Sequence, residues 1–338
     1  MARIGIIGAG GWALGLAVLL NNNGHEVTIW SKVTSEIEEI LTTRENTRSL
    51  PGVKIPESIE VTDDLEGITA DSELLVIAVA SPYVRSTAKD IANVVGDREG
   101  LMIVNVAKGI EESSLMTMTQ VISDEIPSAK VAVLSGPSHA EEVSRGIPTT
   151  CVIGATSQMY AEYLQSIFMS DVFRVYVSPD ILGIELGGSL KNVIALAAGV
   201  ADGLGYGDNT KAALITRGIH EIARLGIAMG GKLQTFYGLS GIGDLIVTCA
   251  SMHSRNRRAG ILIGKGYTYD EAMKEVHMVV EGVYSAKAAL ALSKEYNVEM
   301  PIVEKVNEVL FDGATAAVAV KELMIRDKKI ENSDLPWD

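Results

Sequence analysis

Cysteine is scarce: the 338-residue chain has two, Cys151 and Cys249, far apart in sequence. They fit neither a disulfide framework nor a metal-ligand spacing, so a reducing, cytoplasmic setting without a metal site is expected. Long apolar runs are missing too. The richest, residues 193–200, sits between Lys191 and Asp202, well short of the roughly 20 residues a membrane span needs. Near the N-terminus a glycine turn stands where a secretory signal would need an unbroken apolar core. Basic residues are outnumbered, 29 Lys and Arg against 43 Asp and Glu. The net charge of −14 argues against nucleic acid as a partner, because phosphate backbones bind basic surfaces. A small anion is not excluded, since a few local cations suffice.

Glycine and apolar residues are plentiful, with 33 glycines and 47% hydrophobic residues, which excludes a disordered chain. The length suits two domains of roughly 100–200 residues. Short β-prone runs at 4–7, 27–30, 74–79, 102–106, 131–134, 150–153 and 173–177 alternate with helical segments such as 12–22 and 84–95. Strands spaced by helices predict βαβ units and a doubly wound, mostly parallel sheet of the Rossmann type. Beyond Ile181 the β signal stops, and helices are expected over 190–201, 211–229, 270–276, 284–295 and 302–311. A boundary near Pro179 therefore divides an α/β nucleotide domain, 1–180, from an all-helical domain, 181–338. No internal repeat or low-complexity tract occurs.

The segment Gly8-Ala9-Gly10-Gly11-Trp12-Ala13 follows the first strand and opens a helix. In that G-x-G-x-x-A pattern Gly8 makes the turn, Gly10 lets a pyrophosphate approach the backbone, and Ala13 lets helix and strand pack closely. The second strand ends in Ser31 and Lys32 instead of the acidic residue that would bind the ribose hydroxyls of NAD. A hydroxyl and a cation there favour NADPH, though Lys32 equally suits a solvated loop. Lys108 follows a strand at the sheet's carboxyl edge, and residues 135–138, with Gly136 and Ser138, form a second edge loop; plain turns are the alternative.

Further along, Lys191 shares a helix face with Gly187, Gly188, Ile194, Ala195 and Ala198. Such a face leaves room for a ligand beside a desolvated acid–base lysine, or carries a lysine that snorkels to the surface. Asp244 and Thr248, four apart, share another helix face, with Asp244 alternatively a helix cap. Ser254, Arg255 and Asn256, with Arg257 and Arg258 beside them, form a cationic cluster in an acidic chain. That combination suits a phosphate, or is a solvated basic loop.

Together with "AKGIE", "SGPSHAEEV", "ELGGSLKNVIALAAGVADGLGYGDNTKAALITRG", "GLSGIGDLIVTC", "HSRNRRAG" and "VVEGV", the glycine motif resembles the bacterial NAD(P)-dependent glycerol-3-phosphate dehydrogenases over essentially the whole chain. The resemblance implies reversible reduction of dihydroxyacetone phosphate to glycerol 3-phosphate for glycerophospholipid synthesis, by a homodimer. By match of motif it makes Lys191 the proton donor and acceptor, with Asn192 beside it. Lys108, Asp244 and Thr248 fall on active-site positions, and Gly136 and Ser138 on substrate contacts. Ser254, Arg255 and Asn256 fall on the substrate-phosphate loop. Gly11, Trp12, Lys32, Ala140, Val279 and Glu281 fall on cofactor positions, and Lys108 and Arg255 are shared between the two ligands. Gly11 stands where the family often has Ser, Ser31 where a basic residue is common, Ala107 for a frequent Thr and His139 for a frequent Phe. A dehydrogenase of the 6-phosphogluconate type and a non-catalytic NADP-binding regulator are the alternatives. The short anion loop disfavours the first, and the presence of both Lys108 and Lys191 the second.

Overall fold

β1 (Arg3–Ile7), β2 (Glu26–Trp30), β3 (Glu60–Thr62), β4 (Leu74–Ile77), β5 (Met102–Asn105), β6 (Lys130–Ser135), β7 (Thr149–Gly154) and β8 (Phe173–Ser178) form one sheet in the order β3-β2-β1-β4-β5-β6-β7-β8. The computed structural model describes residues 1–96, 98–328, 330, 331 and 337. β1 pairs in parallel with β2 on one side and β4 on the other. The chain thus winds outward to β3 and then crosses over β1, which opens a crevice at the carboxyl ends of β1 and β4. Helices α1 (Gly11–Asn22), α2 (Thr34–Thr43), α3 (Leu65–Asp71), α4 (Val84–Val95), α5 (Met118–Glu125), α6 (Ala140–Val143) and α7 (Gln158–Phe168) lie between strands. The central strands are buried on both faces, every residue of β4 included, which is why they read as continuous apolar runs.

One feature departs from the sequence expectation. β3 is an extra edge strand of three residues, none fully buried, too short and too exposed to leave an apolar pattern. β7 runs antiparallel to β6 and parallel to β8, so the sheet is mostly parallel, as expected.

After β8 the described residues contain no strand, only α8 (Ile181–Gly203), α9 (Asp208–Ala228), α10 (Leu233–Phe236), a π-helical turn (Leu239–Gly243) that runs into α11 (Asp244–Ala250), α12 (Arg255–Gly264), α13 (Tyr269–Val276), α14 (Glu281–Glu295), α15 (Pro301–Phe311), α16 (Ala316–Met324) and the segments that join them. Of the expected segment 181–338, residues 329, 332–336 and 338 lie outside the described residues. α8 begins well before residue 190, capped by Asp180, whose side chain accepts the Gly183 N–H at 3.0 Å. Gly187 and Gly188, which the sequence already places on the helix face of Lys191, lie inside it, although glycine weakens a helical pattern there. The whole helix is long and apolar enough to cross a membrane, unlike the shorter run expected, but nearly all of it is buried inside the protein. α9, α11, α12 and α14 pack around it, which accounts for its being apolar on every side. Side chains at Gly199 of α8 or Gly260 of α12 would collide with the other helix's backbone. That close crossing ties the start of α12 to the segment of α8 that carries Lys191.

Candidate active site

Residues of α8, α11 and the segment after β5 converge on one buried carboxylate. Asp244 is the first residue of α11, after Gly243 in the capping position. Its side chain is therefore not the helix cap. One oxygen instead accepts Lys108 Nζ at 2.6 Å and the other pairs with Lys191 Nζ. Lys191 also donates to Thr248 Oγ1 at 2.7 Å, and Thr248 donates to the Asp244 carbonyl at 2.6 Å. Lys108, extending from the segment after β5, donates in addition to the Gly136 carbonyl at 3.0 Å. Gly136 has φ +143°, and a side chain there would press on Cys151, so only glycine makes this turn. Ser138 donates to the same carbonyl at 3.0 Å.

Lys191 is 5% exposed, so it does not snorkel. Burial pushes its pKa down to about 8, although Asp244 pulls the other way. Burial pushes the Asp244 carboxyl up, but the two ammonium groups more than offset that and hold it below the ordinary aspartate value. Two cations around one anion leave a positive balance in a buried place, suited to an oxygen that gains negative charge. The small-residue face of α8 does not stand open as expected. A side chain at Gly187 would meet the Ser240 carbonyl at 2.6 Å, and one at Gly188 the Ser135 hydroxyl at 2.8 Å and the Lys108 stem at 3.6 Å. The glycines admit neighbouring protein that holds Lys108 near Lys191.

Asn192 links this centre to the cationic cluster, accepting Asn256 Nδ2 at 2.9 Å; Asn256 in turn accepts the Gly282 N–H at 2.8 Å. The cluster is a helix start and not a loop: Ser254 caps α12 by accepting the Arg257 N–H, and Arg255 and Asn256 lie in its first turn. A helix N-terminus favours an anion by its dipole and free N–H groups. Arg257 is committed to Asp202 at 2.8 Å and Arg258 is exposed. Among the described residues the Arg255 guanidinium has no hydrogen-bond or ion-pair partner. Burial lowers its pKa, while Glu281 pulls it up. A guanidinium so placed is poised for an outside anion.

At the β1 crevice, Gly8 turns with φ +123°. Gly10 precedes α1 with no side-chain cap, so the first N–H groups of the helix stay available. A side chain at Gly10 would meet nothing within 4 Å, which leaves the backbone open to a pyrophosphate. A side chain at Gly11 would meet the Ser49 carbonyl at 2.5 Å, a physical reason for glycine where serine is frequent. Among the described residues the Trp12 indole N–H is buried without a partner, and Ala13 is wholly buried. Ala140 opens α6, its Cβ 3.9 Å from where a Gly11 side chain would begin. These features fit a dinucleotide.

Ser31 and Lys32 are less free than expected. Ser31 donates to Glu36 at 2.7 Å, and Lys32, with its side chain 75% exposed, pairs with Asp90 at 2.9 Å. Val279 lies half-buried just before α14, which Glu281 begins.

Some site-shaping groups escape the sequence pattern. Asn105 pins the turn before Lys108, bonding both the Ala107 N–H (3.1 Å) and carbonyl (3.0 Å). Buried Glu185 accepts Thr119 N–H at 2.8 Å and tethers α8 to α5. A carboxylate inside an apolar helix is the available signal for it.

The family model described as the N-terminus of NAD-dependent glycerol-3-phosphate dehydrogenase matches residues 3–161, and that for its C-terminus matches residues 180–321. The chain is 63% identical over 337 residues to a glycerol-3-phosphate dehydrogenase [NAD(P)+] of Agathobacter rectalis, covering 100% of both chains. It is 61% identical to one of Fusobacterium nucleatum, covering 98% of this chain and 99% of that one. The crystal structure of glycerol-3-phosphate dehydrogenase from Coxiella burnetii superposes with a TM-score of 0.92 at 34% identity, covering 96% of this chain and 99% of that one.

Proposed function

Because the chain belongs to the NAD-dependent glycerol-3-phosphate dehydrogenase family, we propose that it reduces dihydroxyacetone phosphate reversibly to sn-glycerol 3-phosphate, with Lys191 giving and taking the proton. It is an NAD(P)-dependent oxidoreductase. The observation that carries the mechanism is the buried Lys108–Asp244–Lys191 cluster, joined through Asn192 and Asn256 to the first turn of α12 and its unpaired Arg255.

The nicotinamide cofactor, when bound, supplies or accepts the hydride. Gly8, Gly10, Gly11, Trp12 and Ala13 would receive its pyrophosphate and Ser31 and Lys32 its adenosine end. Lys108, Ala140, Arg255, Val279 and Glu281 would complete that site. Lys191 holds a proton for the C2 oxygen of the substrate and delivers it as negative charge develops there. Asp244 aims Lys191 and Lys108, Thr248 fixes Lys191 from the other side, and Lys108 and Asn192 orient the carbonyl. Gly136 and Ser138 line the substrate, while Ser254, Arg255 and Asn256 hold its phosphate away from C2, so that remote binding energy positions the reacting atoms. In this reading residues 1–180 carry mainly the dinucleotide and 181–338 mainly the substrate. A cytoplasmic homodimer feeding glycerophospholipid synthesis belongs to the same proposal. A panel of dihydroxyacetone phosphate, unphosphorylated dihydroxyacetone and 6-phosphogluconate tests it. Efficient turnover of the first, poor turnover of the second and none of the last are expected, and turnover of the last alone would replace the reading with a 6-phosphogluconate-type dehydrogenase.

Two outcomes follow from the geometry. With Lys191 held at about 8, reduction needs the ammonium and falls as pH rises through that value; oxidation needs the free amine and rises over the same interval. Rate profiles in the two directions should therefore slope oppositely there, and parallel slopes would assign the proton to another group. The second outcome concerns NADPH, which we propose is preferred. An exposed pair such as Lys32–Asp90 is worth only about 0–1 kcal/mol, so a 2′-phosphate displaces Asp90 at little cost. Lys32→Asp is expected to weaken NADPH binding about tenfold or more while sparing NADH. Equal effects on the two would place Lys32 outside the adenosine pocket.

A further inference from the structure

Ser81 follows β4 at the carboxyl edge of the sheet and is 7% exposed. Its backbone N–H donates to one oxygen of Glu281 at 3.0 Å and its hydroxyl to the other. One residue thus occupies both oxygens of a carboxylate 200 positions away. The arrangement is packed in place, since Ser81 lies against Gly109, where any side chain would collide with it. Glu281 is also the strongest charge acting on Arg255, and Arg255 is the charge that acts on Glu281. Yet the two form no ion pair. Their chain neighbours Asn256 and Gly282 are hydrogen-bonded at 2.8 Å, which brings the two half-buried groups into one neighbourhood; a carboxylate and a guanidinium so placed gain from pairing, and here Ser81 holds the carboxylate by both oxygens.

We propose that Ser81 is a positioning residue that keeps Glu281 from pairing with Arg255, so that Arg255 meets the substrate phosphate uncommitted. This rests on the assignment of Arg255 to that phosphate. The device works by competition. With both oxygens fastened to Ser81, the carboxylate is held in one orientation, in which it contributes its field to the site but no hydrogen bond to Arg255. Remove the hydroxyl, and the carboxylate is free to turn toward the guanidinium, which the phosphate must then win back.

The test uses the full-length chain and two readouts: steady-state kinetics, and calorimetric titration with inorganic phosphate, which needs no turnover. Ser81→Ala is expected to raise KM for dihydroxyacetone phosphate and Kd for phosphate about tenfold each, with kcat within about twofold. Adding Glu281→Gln to Ser81→Ala removes the competing charge and is expected to bring the phosphate Kd back to within about twofold of wild type. A merely structural role for Ser81 would show no such reversal. Unchanged phosphate affinity in Ser81→Ala, or a loss that Glu281→Gln does not reverse, overturns the proposal. Should Ser81→Ala not fold, Ser81→Cys keeps the volume with a weaker donor and is expected to shift both constants in the same direction. Arg255→Ala with wild-type phosphate affinity would overturn the assignment of Arg255 itself, a result distinct from failure of the Ser81 device.

Discussion

Lys191→Met lowers kcat for reduction of dihydroxyacetone phosphate by about 10²–10⁴-fold and leaves dinucleotide affinity close to wild type. The size is that of a positioned general acid. Methionine keeps most of the side chain's volume in a buried place and deletes only the ammonium group. Asp244 is not stranded by the change, because Lys108 still donates to it at 2.6 Å. The pyrophosphate loop at Gly8–Ala13 belongs to other elements, so titration of the cofactor, followed by its fluorescence, should give an almost unaltered Kd. A variant within tenfold of wild-type kcat would show that another group moves the proton.

Arg255→Ala tests the phosphate assignment. Charged hydrogen bonds contribute roughly 1.5–3 kcal/mol each, about one to two powers of ten in affinity per bond. The loss should fall on kcat/KM for dihydroxyacetone phosphate. Unphosphorylated dihydroxyacetone should already be a poor substrate and should lose far less on mutation, since a missing phosphate cannot be missed twice. The comparison is a double-mutant cycle with the phosphate as one partner. An equal fall on both substrates would show that Arg255 does not read the phosphate.

Much of the fold and of the site is legible in the amino-acid sequence. The parallel strands announce themselves as apolar runs because helices cover both faces of the sheet, and the glycine motif works through local backbone geometry that sequence spells out directly. Asp244 and Thr248 share a face because four residues make about one helical turn. Other features depend on which distant segments meet. Nothing local distinguishes an Asp244 that caps its helix from one held between Lys108 and Lys191, and only the fold decides. The small-residue face of α8 reads as open room, yet it is filled by protein, because close backbone packing and an empty pocket call for the same residues. Ser31 and Lys32 look free in sequence while their carboxylate partners, Glu36 and Asp90, lie 5 and 58 positions away. Ser81 gives no signal at all, since its partner Glu281 comes from the other half of the chain.

The central claim is that this cluster reduces a phosphorylated ketone at the expense of a nicotinamide cofactor. The most direct measurement mixes purified protein with dihydroxyacetone phosphate and NADPH or NADH in turn, following nicotinamide absorbance and assaying glycerol 3-phosphate. The account predicts oxidation of the cofactor, faster with NADPH, with one glycerol 3-phosphate formed per cofactor consumed. Oxidation of neither cofactor would contradict it.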